Sequence, residues 1–333
     1  MEYTRLGRSG LQVSRVVLGC MGFGDPGSGW QGWTIGLEDA RPIVRQALEA
    51  GITTFDTANV YSHGSSEEIV GSLLGELARR DEVVIATKVW GRMGPGANGG
   101  GLSRAAILTQ VDESLRRLKT DYIDLYQIHR YDPETPIEET LEALHDLVRV
   151  GKVRYLGASS MATWQFVQAQ YLADQHGWTR FASMQDQYNL LMREEEREML
   201  PFCFDQGVGV LPWSPLARGY LTRDWGETTV RSQSDRFGQQ MYRQAEEADR
   251  RIVDALGEIA HKRGVLRARV ALAWLLHQPA VTAPIVGVTR PEHLTDALAA
   301  VELHLETDEL ARLEKHYVPH TPEGYEAAGR VSS

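Results

Sequence analysis

Residues 52–71 read ITTFDTANVYSHGSSEEIVG, and they hold two different patterns side by side. Ile52–Phe55 is a short apolar run of strand character that ends in Asp56. A polar loop containing Tyr61 follows, and a helical pattern begins near Ser66. Strand, loop and helix in this order make one β/α unit. The fold depends on how often the chain repeats it.

Working outward, the unit recurs eight times. Val16–Leu18 is a strand, with a helix over Glu38–Ala50 stopped by Gly51. Ile52–Phe55 leads to a helix from Ser66 to about Arg80. Val83–Thr87 precedes Ser103–Lys119, where Ile107, Val111, Leu115 and Leu118 fall at helical spacing. Tyr122–Ile128 precedes a helix that opens with Thr135, Pro136 and Glu138, a capping-box pattern with proline at the first helical position, and ends at Gly151. Val153–Ala158, Ala182–Met184, Val208–Pro212 and Val281–Val286 are the remaining strands. Their helices run to about His176, over Glu195–Gln206, over Glu246–Lys262 and Arg267–His277, and onward from Pro291.

Eight units without a Pro/Ser-rich linker predict one domain over residues 1–333. Its expected architecture is α/β, a closed (β/α)8 TIM barrel rather than an open doubly wound sheet. LGCMGFG, residues 18–24, is glycine-rich but lacks GxGxxG spacing and reads as a loop. Leu6 and Val13 around GRSG predict a small hairpin at the barrel bottom. Residues 89–103 and the segment from Ser214 to about Ala245 exceed the usual connection of about 2–6 residues. Both follow strands, which places them over the face where barrel active sites sit. Residues from about 318 read as a mobile tail.

Composition excludes several classes. A net charge of −10 argues against nucleic-acid binding, which needs a basic face. Cys20 and Cys203 are far apart and support neither a disulfide framework nor a zinc site. MEYTRLGRSGL lacks the apolar run of a secretory signal, and no stretch approaches the ~18–20 apolar residues of a membrane span. The expected compartment is the cytoplasm, with no membrane partner. Oligomeric state is not fixed by the sequence.

Polar groups collect at strand ends. Asp56 closes the second strand, Lys88 the third and His129 the fourth, and Tyr61 lies just beyond Asp56. On a barrel these ends are neighbours on one rim. Singly, each residue has an ordinary explanation: a loop cap, a solvated charge, a packed ring or a satisfied core histidine. Together they form a proton-transfer set. A tyrosine with a pKa near ~10 is a poor acid at neutral pH, and a nearby ammonium favours its phenolate. Lys88 supplies that charge, Asp56 holds Lys88, and neutral His129 donates to a substrate oxygen. Such a set protonates an alkoxide forming at a carbonyl carbon, and it needs a hydride from a reduced cofactor.

FDTANVY followed by SSEEIVG, then ATK and QIHR, resembles the aldo-keto reductase family, whose tetrad is Asp, Tyr, Lys and His. The likeness continues through GKVRYLGASS, MQDQYNL and PWSPLARGYLT to PIVGVTR, covering essentially the whole chain. TPIEETLEAL, REEEREMLP and WSPLARG look most like bacterial YajO-type reductases. The resemblance implies NADPH/NADP+ as cofactor, with NADH as the alternative, and a small carbonyl compound as substrate. It implies that Ser159, Ser160 and Gln185 hold the nicotinamide carboxamide, although asparagine is more usual at position 160. Trp213 stands where a ring stacks on the nicotinamide, and Ser214, Leu216, Gly219 and Leu221 follow the pyrophosphate.

Gly287, Thr289, Arg290, His293 and Asp296 complete the implied cofactor site. Arg290 opens a helix and suits a 2′-phosphate, with Arg218 as a second candidate. Many family members have Glu-Asn at the adenine; this chain has Asp296 and Ala297, which weakens that grip. Trp30 and Trp33 are candidate substrate-pocket walls. The superfamily also includes potassium-channel β subunits that combine the fold with slow chemistry and partner binding. YajO-type likeness adds a third reading, sugar-phosphate conversion.

Overall fold

The computed structural model describes residues 1–333 apart from 26, 28–30, 230–234, 236–240, 243–244 and 321–333. The predicted hairpin is present: β1 (Tyr3–Arg5) and β2 (Gln12–Ser14) pair antiparallel, Tyr3 opposite Ser14. Eight parallel strands follow: β3 (Val17–Gly19), β4 (Thr54–Asp56), β5 (Val84–Val89), β6 (Ile123–Ile128), β7 (Val153–Ser159), β8 (Phe181–Gln185), β9 (Gly209–Val210) and β10 (Ile285–Gly287). Each pairs with its sequence neighbour, and β10 pairs with β3. The ring closes where Thr282 N donates to Val210 O and Ile285 N to Pro212 O, both at 2.9 Å.

Helices α1 (Leu37–Glu49), α2 (Ser65–Leu77), α3 (Arg104–Leu118), α4 (Ile137–Arg149), α5 (Thr163–His176) and α6 (Met199–Gln206) alternate with the strands. Then come α7 (Glu246–Arg263), α8 (Arg267–His277), α9 (Pro291–Ala300) and α10 (Thr307–Glu314). In α4 the buried side is Ile137, Leu141, Leu144 and Leu147, a helical spacing whose fully buried leucines each contribute about 1.5–3 kcal/mol. Its start differs from the capping-box expectation. Pro136 is the cap residue, and the Thr135 hydroxyl donates to Asp132 Oδ2 (2.9 Å) instead of capping the helix. Helix α10 lies beyond the predicted units.

Alternation along the strands explains where chemistry collects. Residues two apart share a face of a strand, so Val84, Ala86 and Lys88 form one row of β5, and Leu125 and Gln127 one row of β6. The lower members join Leu6, Val13, Val17, Leu211, Ala283 and Ile285 in an apolar cluster that the hairpin completes. Towards the carboxyl ends the same rows turn polar. The opposite row, with Ile85, Val89, Tyr126 and Ile128, belongs to the larger core under the helices.

Candidate active site

Strand register brings the predicted set together. Asp56 pairs with Gly19 and Ala86, Lys88 with Gln127, and Ser159 with Gln185, so the polar ends lie on one rim. Lys88 is fully buried, and its Nζ donates to Asp56 Oδ1 (2.5 Å), to the Thr57 carbonyl (2.8 Å) and to Tyr61 Oη (3.3 Å). The other Asp56 oxygen accepts from Gln127 Nε2 (3.1 Å) and Gln185 Nε2 (2.9 Å). His129 begins just after β6, and its ring meets Tyr61 edge-on with centroids 5.6 Å apart. Its buried Nδ1 has no hydrogen-bond partner among the described residues.

Electrostatics here follow from burial. Desolvation raises the Tyr61 phenol more than the Lys88 ammonium lowers it, so the phenol stands above its ordinary value. This corrects the expectation of a net lowering by Lys88. Burial alone would lower Lys88 itself, but Asp56 and Tyr61 outweigh it and hold the ammonium above its usual range. His129 is pushed well below the usual imidazole range by burial, with Lys88 and Arg130 adding to it. It is neutral at pH 7.

A strained turn aims Tyr61. Ser62, His63 and Gly64 all have positive φ, at 47°, 53° and 97°. A Cβ on Gly64 would lie 2.7 Å from Arg117 Cδ, so both space and backbone require glycine there. Beneath the turn, Glu67 of α2 accepts from Arg117 Nε and from Thr87 Oγ1, each at 2.6 Å and buried. Ser66 Oγ lies 2.8 Å from Thr57 Oγ1 and donates to the Cys20 carbonyl (2.7 Å). The turn is thereby tied to β3, β5 and α3.

A cavity of about 1060 Å³ opens over this rim. Asp56, Tyr61, His129, Ser159, Ser160, Gln185, Trp213, Ser214, Leu216, Arg218, Gly219, Gly287, Thr289, Arg290, His293 and Asp296 all line it, as does Trp33. Lys88 stays behind Asp56 and Tyr61. Leu221 is fully buried in the core and does not line the cavity, and its N–H donates, as does that of Gly219, to the Leu216 carbonyl. Those two donors are satisfied within the turn, contrary to the pyrophosphate role expected for them. Trp30 lies outside the described residues.

Other contacts refine the expected roles. Ser159 Oγ donates to the Gln185 carbonyl (2.7 Å), and Trp213 Nε1 donates to Ser160 Oγ (3.0 Å). Ser160 has φ 49°, and its N–H donates to the buried carboxyl of Asp186 (3.0 Å). Burial, with Glu195 beside it, pushes the Asp186 carboxyl well above the ordinary range. The Gln185 amide bonds Gln127 Oε1 (3.1 Å) as well as Asp56. Arg218 is paired with Asp235 at 2.5 Å, and Asp296 with Arg269 at 3.2 Å. Arg290 is exposed at the N-cap of α9; its carbonyl accepts from His293 N (3.2 Å), and its side chain has no hydrogen bond or ion pair among the described residues. Ala297 is buried against the core and does not line the cavity.

Sequence reading missed Gln127, Arg130 and Asp186. Gln127 carried a usable signal: a lone amide in IDLYQI, on the same row as Leu125 and one step before His129. Asp186 carried none, since it follows Gln185 outside the strand. A tail loosening near residue 318 is the expectation, yet His320 is buried and its N–H donates to Glu194 Oε1 (3.0 Å). The rest of that expectation falls on residues 321–333, outside the described ones.

Residues 15–318 match the Aldo/keto reductase family. The versiconal hemiacetal acetate reductase of Aspergillus parasiticus is 47% identical, the match covering 96% of this chain and 98% of that protein. A putative aryl-alcohol dehydrogenase of Schizosaccharomyces pombe is 44% identical (95% and 96% covered), and another from Saccharomyces cerevisiae is 39% identical (96% and 98% covered). These relatives are fungal and yeast proteins rather than bacterial YajO-type reductases. The chain belongs to the aldo/keto reductase family and is an oxidoreductase.

Proposed function

We propose that this protein reduces a ketone or aldehyde to the alcohol with NADPH. The observation that carries the reading is the buried chain Asp56–Lys88–Tyr61, which ends beside His129 in the wall of the large cavity. The cavity suits a dinucleotide: it reaches from Tyr61 and His129 to Arg290 and His293, past the serines and Trp213. The nicotinamide, when bound, supplies the hydride. Ser159, Ser160, Gln185 and Trp213 would hold its ring, and Arg290 at a helix N-terminus would meet the phosphate that separates NADPH from NADH.

The rest is the work of the chain. Burial keeps the Tyr61 proton in place until an oxygen with a higher proton affinity forms beside it. When the proton leaves, the Lys88 ammonium at 3.3 Å steadies the phenolate left behind. Asp56 holds that ammonium, and Gln127 and Gln185 hold Asp56. Neutral His129 donates to the carbonyl oxygen without surrendering a proton of its own.

Met21, Trp33, Ile35 and Trp213 give the cavity an apolar, aromatic side that suits an aryl or extended carbonyl substrate. The names of the relatives, a hemiacetal acetate reductase and aryl-alcohol dehydrogenases, point the same way. YajO-type sugar-phosphate chemistry is a narrower reading of this site, and an assay of pentose phosphates tests it. We place the protein in the cytoplasm; no helix of the described residues is long and apolar enough to cross a membrane. One domain over residues 1–333 is part of the same proposal. Replacing Tyr61 with Phe should abolish carbonyl reduction while the NADPH dissociation constant hardly changes. Near-normal kcat in Tyr61→Phe on a good aldehyde would refute the proton-donor role.

A further inference from the structure

We infer that Gln127 is a positioning residue for the cofactor: it fixes the Gln185 amide with its oxygen towards the cavity, so that a nicotinamide carboxamide enters with its NH2 end on Gln185. The inference rests on the reductase reading above and adds to it a residue that does not itself line the cavity.

Gln127 is a buried amide in β6, and its register partner on β7 is Gly157, which in turn pairs with Ser183 of β8. A Cβ on Gly157 would lie 2.8 Å from Gln127 Cγ and 2.6 Å from Ser183 Oγ. The glycine therefore leaves the gap by which Gln127 reaches past β7 to Gln185 of β8. Hydrogen bonds run both ways from the Gln127 amide. Its Nε2 donates to Asp56 Oδ2 (3.1 Å), and its Oε1 accepts from Gln185 Nε2 (3.1 Å). Gln185 Nε2 also donates to Asp56 Oδ2 (2.9 Å).

These bonds settle which end of each amide points where. Asp56 holds the Lys88 ammonium on one oxygen, and its other oxygen faces both amides as an acceptor, so each must turn a nitrogen towards it. With its nitrogen on Asp56, Gln127 offers Gln185 an oxygen. A side-chain amide has two N–H donors, and Gln185 commits one to Asp56 and one to Gln127. The Gln185 oxygen has no hydrogen bond among the described residues and is not sealed from solvent, and Gln185 lines the cavity. That oxygen is what the residue offers a ligand. Polarity is reversed at the serines. Ser159 Oγ donates to the Gln185 carbonyl and Ser160 Oγ accepts from Trp213 Nε1, which leaves the Ser160 hydroxyl hydrogen as the donor of the pair. An acceptor at Gln185 and a donor at Ser160 match the two ends of a carboxamide. Loss of Gln127 leaves Gln185 one anchor, on Asp56, about which the amide can swing and present its second N–H instead.

The test measures, by calorimetry, the dissociation constants of NADP+ and of its 3-acetylpyridine analogue, in which a methyl ketone replaces the carboxamide and no N–H meets Gln185. The readout is the ratio of the two constants, which cancels any loss common to both. The wild type should bind NADP+ more tightly by about 5- to 100-fold, since the analogue leaves the Gln185 oxygen unpaired. Gln127→Met, close in shape, should lower that preference at least about threefold. Ser183→Ala alters a buried neighbour on the same row of β8 as Gln185 and should keep the wild-type ratio. A wild type without the preference, an unchanged ratio in Gln127→Met, or an equal fall in Ser183→Ala overturns the inference. Melting temperatures show whether the variants fold; if Gln127→Met does not, Gln127→Asn, one carbon too short to hold both partners, takes its place with the same two outcomes. If the protein binds NAD+ rather than NADP+, the same two rings are compared on that dinucleotide. Because the readout is binding, the test stands even if no carbonyl compound is turned over, a result that would sink the reductase reading alone. Binding of neither dinucleotide overturns both.

Discussion

Replacing Asp56 with Asn leaves shape almost unchanged and removes one charge, which makes it the sharpest probe of the buried rim. Lys88 is fully buried, and Asp56 is the carboxylate in contact with its ammonium. The asparagine introduced by Asp56→Asn retains one acceptor but presents an amide where Gln127 and Gln185 both donate. Removing one partner of a buried ion pair costs about 3–5 kcal/mol, because the remaining charge stays desolvated. That is the expected loss at pH 7.

The pH dependence separates this mechanism from simple misfit. In the wild type the folded Lys88 pKa is raised, so its stabilisation is full below the unfolded value of about 10.4 and is lost as pH climbs through the folded value. Without Asp56, burial dominates and lowers the folded pKa. The penalty is then largest at low pH and fades as Lys88 deprotonates in the folded state. Urea unfolding at pH 7, 8, 9 and 10 therefore shows the variant gaining on the wild type as pH rises. A loss below about 1 kcal/mol at pH 7, or a gap that stays constant to pH 10, would refute the claim that Asp56 neutralises a buried ammonium.

Arg290→Ala should weaken NADPH binding about tenfold to a hundredfold while hardly changing NADH, the effect of one charge-assisted phosphate contact; equal losses for both would mean that Arg290 supports the loop instead. His129 should remain neutral at pH 6.5, because burial, Lys88 and Arg130 all lower its pKa. Nitrogen NMR shifts of labelled histidine would check this, and a His129 titration at or above pH 6.5 would count against it. Gly64→Ala should cost at least about 1–3 kcal/mol, since φ is 97° and the new methyl would press on Arg117. Its kcat should fall with its stability as the turn carrying Tyr61 shifts, and a stable, fully active Gly64→Ala would show that the turn does not set the site.

Strand and helix order was legible because apolar runs and helical spacing act locally. Arg267–His277 is legible to the residue, whereas β9 shrinks to Gly209–Val210 and hands its closure to single bonds at Val210 and Pro212. The four rim residues were legible because a (β/α)8 ring places every strand end on one face. What they do to one another was not. A lowered Tyr61 pKa is the sequence expectation, but desolvation cannot be counted before the walls are known. The family resemblance assigns Gly219 and Leu221 to the pyrophosphate, yet a tight turn points both N–H groups at Leu216 O. Arg218 carries a plausible phosphate role until the fold brings Asp235, seventeen residues on, against it.

The site divides its charges by solvent exposure, and this division suits its two tasks. Arg290 is exposed at the start of a helix, where the dipole adds to its charge and salt screens both within about 10 Å. Such a group can draw an anionic cofactor to a protein whose net charge is −10. Lys88 has the opposite setting. It is buried, fixed by three acceptors and unreachable by counter-ions, so its field at Tyr61 is constant whatever the salt. Proton transfer needs that constancy, since the phenolate gains only from charge already in place when the proton leaves.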